Sequence, residues 1–114
     1  MAEEIVHHTL YTGWRELHEF PGTGEVKVLR EESNRGAKTI VVRLPAGGQI
    51  LPHNHLGVVQ HFVIEGQYET QGKTFETGSY RLFPKNAEVA KMTTKNGVTL
   101  LMIYDPIESG PINS

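Results

Sequence analysis

The stretch HNHLGVVQHFVIEG, residues 53–66, carries three of the chain's six histidines on a segment that is typical of a β-strand. Successive side chains of a strand point to opposite faces, so His53 and His55 are directed to the same side. Two imidazoles that converge on one point are suited to bind a transition metal together. An H-x-H pair also occurs on exposed strands, so the prediction of a metal site depends on further ligands.

The rest of the chain predicts an all-β fold. Gly and Pro recur at short intervals as turn residues, and the segments between them are rich in β-forming residues. Asn96-Gly97 lies between two of these segments and predicts a hairpin, while residues 11–18 are the only candidate for a short helical turn. Many short strands with almost no helix are typical of a sandwich or a small barrel. The predicted strands are residues 25–30, 38–44, 58–65, 67–71, 73–76, 79–83, 88–94 and 98–104.

Length and composition limit the possible functions. A chain of 114 residues has the size of one domain, and its net charge of −2 with mixed signs argues against a nucleic-acid surface. No apolar run approaches the roughly 18 residues that span a bilayer, and the acidic start lacks the pattern of a signal peptide. There is no cysteine, which excludes disulfides and thiolate metal ligands. These features favour a cytoplasmic protein without a membrane or nucleic-acid partner.

Two spaced motifs extend the histidine pair in both directions, and they resemble those of the cupin superfamily. The first family motif is G-x5-H-x-H-x3-E-x6-G, and the second is G-x5-P-x-G-x2-H. Both fit in frame, and the resemblance covers about residues 25–104. The residues that match are Gly47, His53, His55 and Gly66 in the first motif, and Gly78 and Pro84 in the second.

The resemblance implies a double-stranded β-helix, the conical jelly-roll barrel of cupins, with any metal near one open end. We therefore expect a single cupin domain over residues 1–114, with a barrel core at about 25–104, an N-terminal strand or arm at 1–24 and a C-terminal tail at 105–114. The resemblance also implies a homodimer, with residues 5–11 as a strand that the subunits exchange. The predicted interior includes Val41, Val59, Val63, Tyr80, Leu82 and alternate residues of 98–104.

Closer resemblances point to two kinds of cupin. FPGTGEVKVLREE, residues 20–32, resembles the ChrR-like cupin domain of zinc-binding anti-sigma factors. HNHLGVVQHFVIEG and TGSYRLFP, residues 77–84, resemble the cupins that include acetylacetone-cleaving and 2,4′-dihydroxyacetophenone dioxygenases. Those enzymes hold iron with three histidines, of which His53 and His55 match here. Val59 stands at the position of the family's glutamate, and Val89 stands at that of its last histidine.

Another residue must complete a metal site if one exists. His61 lies two residues beyond the glutamate position, so it points to the same face of the strand. Gln60 is the second candidate, through a register shift of one residue, and Glu88 is a third, through a bulge. The alternative for His61 is a core histidine that is hydrogen-bonded to Tyr68 or Tyr80. The predicted metal ligands are thus His53, His55, His61 and Gln60.

These residues lead to three hypotheses for the function. The first is a metal-dependent, dioxygenase-like enzyme that acts on a small diketone or hydroxyketone, with Tyr80, Arg81 or Glu76 beside the metal. Its cofactor is a divalent transition metal, either iron, manganese, nickel or zinc. The second is a non-catalytic module that senses a small-molecule ligand or a metal, and the third is a degenerate, metal-free cupin. The sequence does not single out catalytic residues.

Overall fold

The computed structural model describes residues 4–8, 12–32 and 34–107. This part of the chain forms eleven strands and contains no helix that could span a membrane. The predicted all-β fold is confirmed. The strands are β1 (Arg15–Glu16), β2 (Glu25–Glu32), β3 (Ala37–Leu44), β4 (Gln49–Ile50), β5 (His53–Asn54), β6 (Val59–Thr70), β7 (Lys73–Glu76), β8 (Tyr80–Phe83), β9 (Glu88–Val89), β10 (Met92–Thr93) and β11 (Val98–Tyr104).

The strands form one large curled sheet and one small one. The large sheet runs in the order β1-β2-β3-β11-β6-β10-β4, and β7 and β8 pair with β6 as well. The small sheet consists of β5 and β9. Every pairing is antiparallel. This topology is that of the expected jelly-roll barrel in a single small domain.

Strand β6 is the longest and bends at Gly66. The sequence predicts a turn at this glycine between two strands, but this prediction is wrong because β6 continues through it. The pairing register with β11 shifts between Thr99 and Leu100, which is a β-bulge. Gly66 has φ 85°, and a Cβ there would lie 2.4 Å from the carbonyl oxygen of Gly97. Glycine is therefore required where β6 bends.

Two predicted turns have different outcomes. Gln71 and Gly72 both have positive φ, 51° and 76°, and they join β6 to β7 in a two-residue hairpin. The predicted hairpin at Asn96-Gly97 is wrong, because β10 pairs with β4 and β6 whereas β11 pairs with β3 and β6. The predicted helical turn is also wrong for its described residues, 12–18, which contain β1. Residue 11 lies outside the described residues.

Alternation along the central strands separates a buried interior from an outer face. Val59 and Val63 of β6 are buried in the core, as predicted. Tyr80 and Leu82 are exposed, so their predicted interior position is wrong, and Phe83 is buried instead. Val41 pairs with Leu101 and lies on the outer face, although it is shielded from solvent. The core contains Leu17, Phe20, Val26, Ile40, Val42, Leu44, Ile50, Val59, Val63, Tyr68, Phe83, Val89, Met92, Val98, Leu100 and Met102.

The first and last described residues of the chain lie outside this core. Residues 4–8 are exposed and not part of a strand, and residues 9–11 of the predicted exchange strand lie outside the described residues. Near the C-terminus, the backbone N–H of Ile107 donates to the carbonyl oxygen of Arg35 at 2.7 Å. The rest of the predicted tail, residues 108–114, also lies outside the described residues.

Candidate functional site

His53 and His55 meet edge to face at one end of the barrel. Their ring centroids are 4.7 Å apart, with an interplanar angle of 84°. His53 belongs to β5 and is paired with Val89 of β9, while the backbone N–H of His55 donates to the carbonyl oxygen of Ala87. The pairing of β5 with the β9 segment thus holds the two imidazoles together.

The His53 ring has a fixed tautomer. Its Nδ1 lies 2.8 Å from the carbonyl oxygen of Leu51, which can only accept, so Nδ1 carries the proton and donates. In the neutral ring this leaves a lone pair on Nε2, which is buried and has no hydrogen-bond partner among the described residues. The stacked ring of Phe20, 5.2 Å away, covers the imidazole. Metal-binding histidines are commonly oriented by such a bond to the other ring nitrogen.

His61 is buried on the inner face of β6 with only 2% of its surface exposed. Neither of its ring nitrogens has a hydrogen-bond partner in the described part of the chain. The alternative prediction of a bond to a tyrosine is wrong, since Tyr68 accepts from Arg81 and Tyr80 donates to Gln60. His61 is thus a buried imidazole that is held by packing contacts, without a hydrogen bond to any described residue.

Phe83 connects His61 to the histidine pair. Its ring centroid lies 4.7 Å from that of His61 and 6.1 Å from that of His55. Across residues 4–8, 12–32 and 34–107, no three His, Cys, Asp or Glu side chains are grouped closely enough to hold a metal ion together. The structure therefore brings His53 and His55 together and leaves His61 beside them against Phe83.

Burial keeps the inner imidazoles neutral. Desolvation, with a smaller contribution from His53, lowers the pKa of His55 from 6.5 to about 4. Desolvation also lowers the pKa of His61 to about 3, with smaller contributions from His55, Arg81 and His53. A neutral imidazole retains a nitrogen lone pair, which is the form that binds metals.

Arg81 is the cross-strand partner of His61 and supplies a positive charge beside it. Its guanidinium lies 4.5 Å from the Phe83 ring and 4.6 Å from the Phe75 ring, and Nη1 donates to Tyr68 Oη at 3.2 Å. These aromatic faces stabilise the cation inside the sheet. Of the three predicted neighbours of the metal, Arg81 is thus the one that lies beside a histidine of the predicted site.

The other predicted residues lie elsewhere. Gln60 turns to the outer face, where its Oε1 accepts a hydrogen bond from Tyr80 at 2.7 Å. Glu76 lines an open groove of about 880 Å³ formed by turns, which has no histidine in its lining. Val59 and Val89, at the usual ligand positions of the resemblance, are both buried in the core. Glu88 is exposed and paired with Asn54.

Tyr104 and Glu19 are site residues that the sequence analysis did not identify. The Tyr104 ring meets His55 edge to face at 5.7 Å, and its hydroxyl is buried without a partner among the described residues. Burial raises the pKa of Tyr104, and the carboxylate of Glu19 raises it further. Glu19 is bound by Arg15 and Lys38, and these contacts outweigh its desolvation and lower its pKa to about 2. The alternation of residues 98–104 predicts that Tyr104 faces the interior, and this is the sequence signal that could have identified it.

A small cavity of about 160 Å³ lies beside His55. Tyr104 forms part of its wall, and Val58, Val59 and Ile107 give it an apolar lining. This volume is well above the ~10–15 Å³ that one water needs. An apolar cavity with few polar groups is typical of small-molecule sites.

A family of known domains matches almost the whole chain. The model described as the ChrR cupin-like domain matches residues 2–108. The comparison with curated proteins finds no match.

Solved cupins have the same fold. A provisionally assigned acetylacetone dioxygenase from Methylibium petroleiphilum has 20% identity and a TM-score of 0.79 over 91% of this chain and 78% of that one. The acetylacetone dioxygenase of Acinetobacter johnsonii has 22% identity and a TM-score of 0.75, and the match covers 91% of this chain and 74% of that one. The structure of Rhodobacter sphaeroides SigE with the anti-sigma ChrR has 18% identity and a TM-score of 0.67. The match covers 83% of this chain and 50% of that one.

The buried imidazoles predict a loss of stability in mild acid. Unfolded histidine binds a proton below pH 6.5, whereas folded His61 does so only near pH 3. The unfolded state therefore binds more protons, and stability falls as pH falls through this window. Between pH 7 and 5, His61 alone lowers the free energy of unfolding by about 2 kcal/mol. Denaturant titrations of the metal-free protein at several pH values measure this loss.

His61→Leu is expected to reduce this pH dependence by about half, because one of the two buried titrating imidazoles is removed and His55 remains. His18→Gln, at an exposed histidine, is the matched control and should retain the wild-type slope. The assignment to His61 is rejected if His61→Leu loses as much stability between pH 7 and 5 as the wild type does.

Proposed function

Because the chain belongs to the ChrR cupin-like domain family, we propose that it is a small metal-binding cupin with a dioxygenase-like activity. Its substrate in this proposal is a small diketone or hydroxyketone. The main support is the buried, unpartnered Nε2 of His53, whose tautomer Leu51 fixes for metal binding. The fold shared with two acetylacetone dioxygenases supports the substrate class.

The donor set fits a divalent transition metal in part. His53 and His55 would each supply Nε2, since both atoms are buried and unpartnered among the described residues. His61 would supply a third nitrogen only by moving toward the pair, past the Phe83 ring against which it packs. Gln60 is left out of this proposal, since Tyr80 holds its amide on the outer face. Nitrogen ligands suit iron, manganese, nickel or zinc.

When bound, the metal would polarise and acidify a ketone that coordinates it. The chain's own residues prepare the site for this chemistry. Phe20 and Phe83 pack against the imidazoles and exclude water from them. Exclusion of water strengthens the electrostatic interactions of any bound ligand. The 160 Å³ cavity beside His55 gives a small ketone room next to the proposed metal.

A sensor is the second candidate function, and the family match favours it. The ChrR cupin-like model covers residues 2–108, and ChrR itself is an anti-sigma factor in the SigE complex. A sensing cupin would bind a small molecule or metal and change its contacts without converting the ligand.

Oxygen uptake by the metal-loaded protein in the presence of acetylacetone separates the enzyme from the sensor: the enzyme consumes oxygen, and the sensor does not. A protein that binds neither metal nor ketone would be the metal-free cupin.

The proposed assembly is a homodimer through the outer face of the large sheet. Phe62, Ile64 and Leu82 are 42%, 43% and 53% exposed on this face. Leu101 pairs with Phe62, so the apolar surface is continuous across β11 and β6. An apolar face of this kind is typical of a self-complementary interface.

The net charge of −2 and the absence of cysteine support a cytoplasmic protein without a nucleic-acid partner.

Metal content tests the proposed site. Protein purified without a polyhistidine tag is loaded with Zn²⁺, and bound metal is measured per chain. We expect His53→Ala and His55→Ala to weaken the affinity by at least about 100-fold, because loss of a supporting group alone costs 10–100-fold. His61→Ala should weaken it to a similar degree if His61 moves to the metal.

His18→Ala, at an exposed position, is the control and should bind metal like the wild type. Equal metal content in the wild type and in His53→Ala would reject the site. If His61→Ala binds metal like the wild type but is less stable, whereas His53→Ala and His55→Ala lose the metal, the site consists of the pair alone.

Light scattering tests the assembly. The wild type is expected to have twice the monomer mass at micromolar concentration. Phe62→Lys should give a monomer, because it places a charge in the middle of the proposed interface. Leu51→Lys, at an exposed leucine on the loop after β4, is the control and should remain a dimer. A monomeric wild type would reject the dimer.

A further inference from the structure

Two residues that line the small cavity each carry a buried polar atom without a partner. These atoms are Tyr104 Oη and His55 Nε2, and both lack a hydrogen-bond partner among the described residues. Their rings meet edge to face at 5.7 Å. A buried polar group without a partner destabilises the fold. An unpaired hydroxyl on a residue of the cavity wall is therefore suited to bind a ligand that reaches it.

We propose that the Tyr104 hydroxyl donates a hydrogen bond to the carbonyl oxygen of a small, uncharged ketone that binds in this cavity beside His55. Tyr104 is then a positioning residue that holds the ligand against the histidine pair. This inference deepens the proposed function and rests on it for the nature of the ligand. The apolar lining from Val58, Val59 and Ile107 suits the carbon skeleton of such a molecule.

The surrounding charges favour a ketone over a carboxylate. The Glu19 side chain is 3% exposed, and its charge acts on Tyr104, since it contributes to the raised pKa of that group. Asp105 lines the same cavity and makes no ion pair within the described residues. Two acidic groups near the hydroxyl oppose a second negative charge. Lys38, the cross-strand partner of Tyr104, is bound to Glu19 and Glu31.

The binding test uses the metal-free, full-length protein and two matched probes. Acetylacetone is uncharged in solution, and acetoacetate carries a carboxylate in place of one ketone group. Their dissociation constants are measured by NMR titration for the wild type and for Tyr104→Phe. We expect the wild type to bind acetylacetone more tightly than acetoacetate, and Tyr104→Phe to weaken acetylacetone binding by about tenfold.

Tyr80→Phe is the control for binding, because Tyr80 lies on the outer face and bonds Gln60. It should bind acetylacetone like the wild type. If Tyr104→Phe binds acetylacetone within about twofold of the wild type, the proposal is overturned, because loss of the hydrogen bond should weaken binding by about tenfold. A wild type that does not bind acetylacetone, or that binds acetoacetate as tightly, would also overturn it.

Thermal stability provides a readout that is independent of the ligand. Removal of an unpartnered buried hydroxyl should raise the Tm of the metal-free protein by about 4 °C or more. Tyr68→Phe is the matched control, since Tyr68 Oη accepts a bond from Arg81, and its Tm should fall. A fall of similar size in Tyr104→Phe would mean that a structural partner, such as an ordered water, already satisfies the hydroxyl, and would overturn the proposal.

The outcomes also separate this inference from the proposed function. If the wild type binds Zn²⁺ but acetylacetone binding does not depend on Tyr104, the inference fails and the metal site stands. If the wild type binds no metal but Tyr104→Phe weakens acetylacetone binding, the inference stands and the metal-dependent function fails.

Discussion

Strand β6 is hydrogen-bonded to β11, β8, β7 and β10, and these pairings position His61, Arg81, Phe83 and Tyr104. Its alternation places Val59, His61 and Val63 in the interior, and its bend at Gly66 allows the second half to join the other strands. A shift of one residue would turn His61 outward and bring Gln60 into the core. The burial of the imidazole is therefore a consequence of the sheet as a whole.

Much of the fold could be predicted from the sequence, because glycine spacing and strand alternation carry most of the information. The phase of β8 could not be predicted, since Tyr80, Leu82 and Phe83 are all apolar and Arg81 is charged. The inward side of β8 is taken by Phe83 and by Arg81, which is stabilised by aromatic rings. The continuity of β6 through Gly66 was missed for a similar reason, because a glycine with positive φ occurs both in turns and in bulges.

The candidate site could be predicted only in part from the sequence. The H-x-H spacing predicts that His53 and His55 lie on one face, and their rings are 4.7 Å apart. The position of His61 relative to them depends on the packing of Phe83, which local spacing does not contain. Tyr104 is brought to His55 by long-range pairing of β11 with β3 and β6. Short-range patterns thus identify the pair, and tertiary contacts determine its surroundings.

His53, His55 and His61 each carry a buried ring nitrogen that is unpartnered among the described residues, while valines occupy the two positions at which the family resemblance expects further ligands. Neutral, unpartnered ring nitrogens destabilise the metal-free fold, and a bound metal would offset this cost for His53 and His55. The most direct test is a crystal structure of the Zn²⁺-loaded protein with anomalous data at the zinc edge. We expect one peak about 2.0–2.1 Å from Nε2 of both residues. The absence of a peak between these two rings, at full zinc loading, would contradict the account.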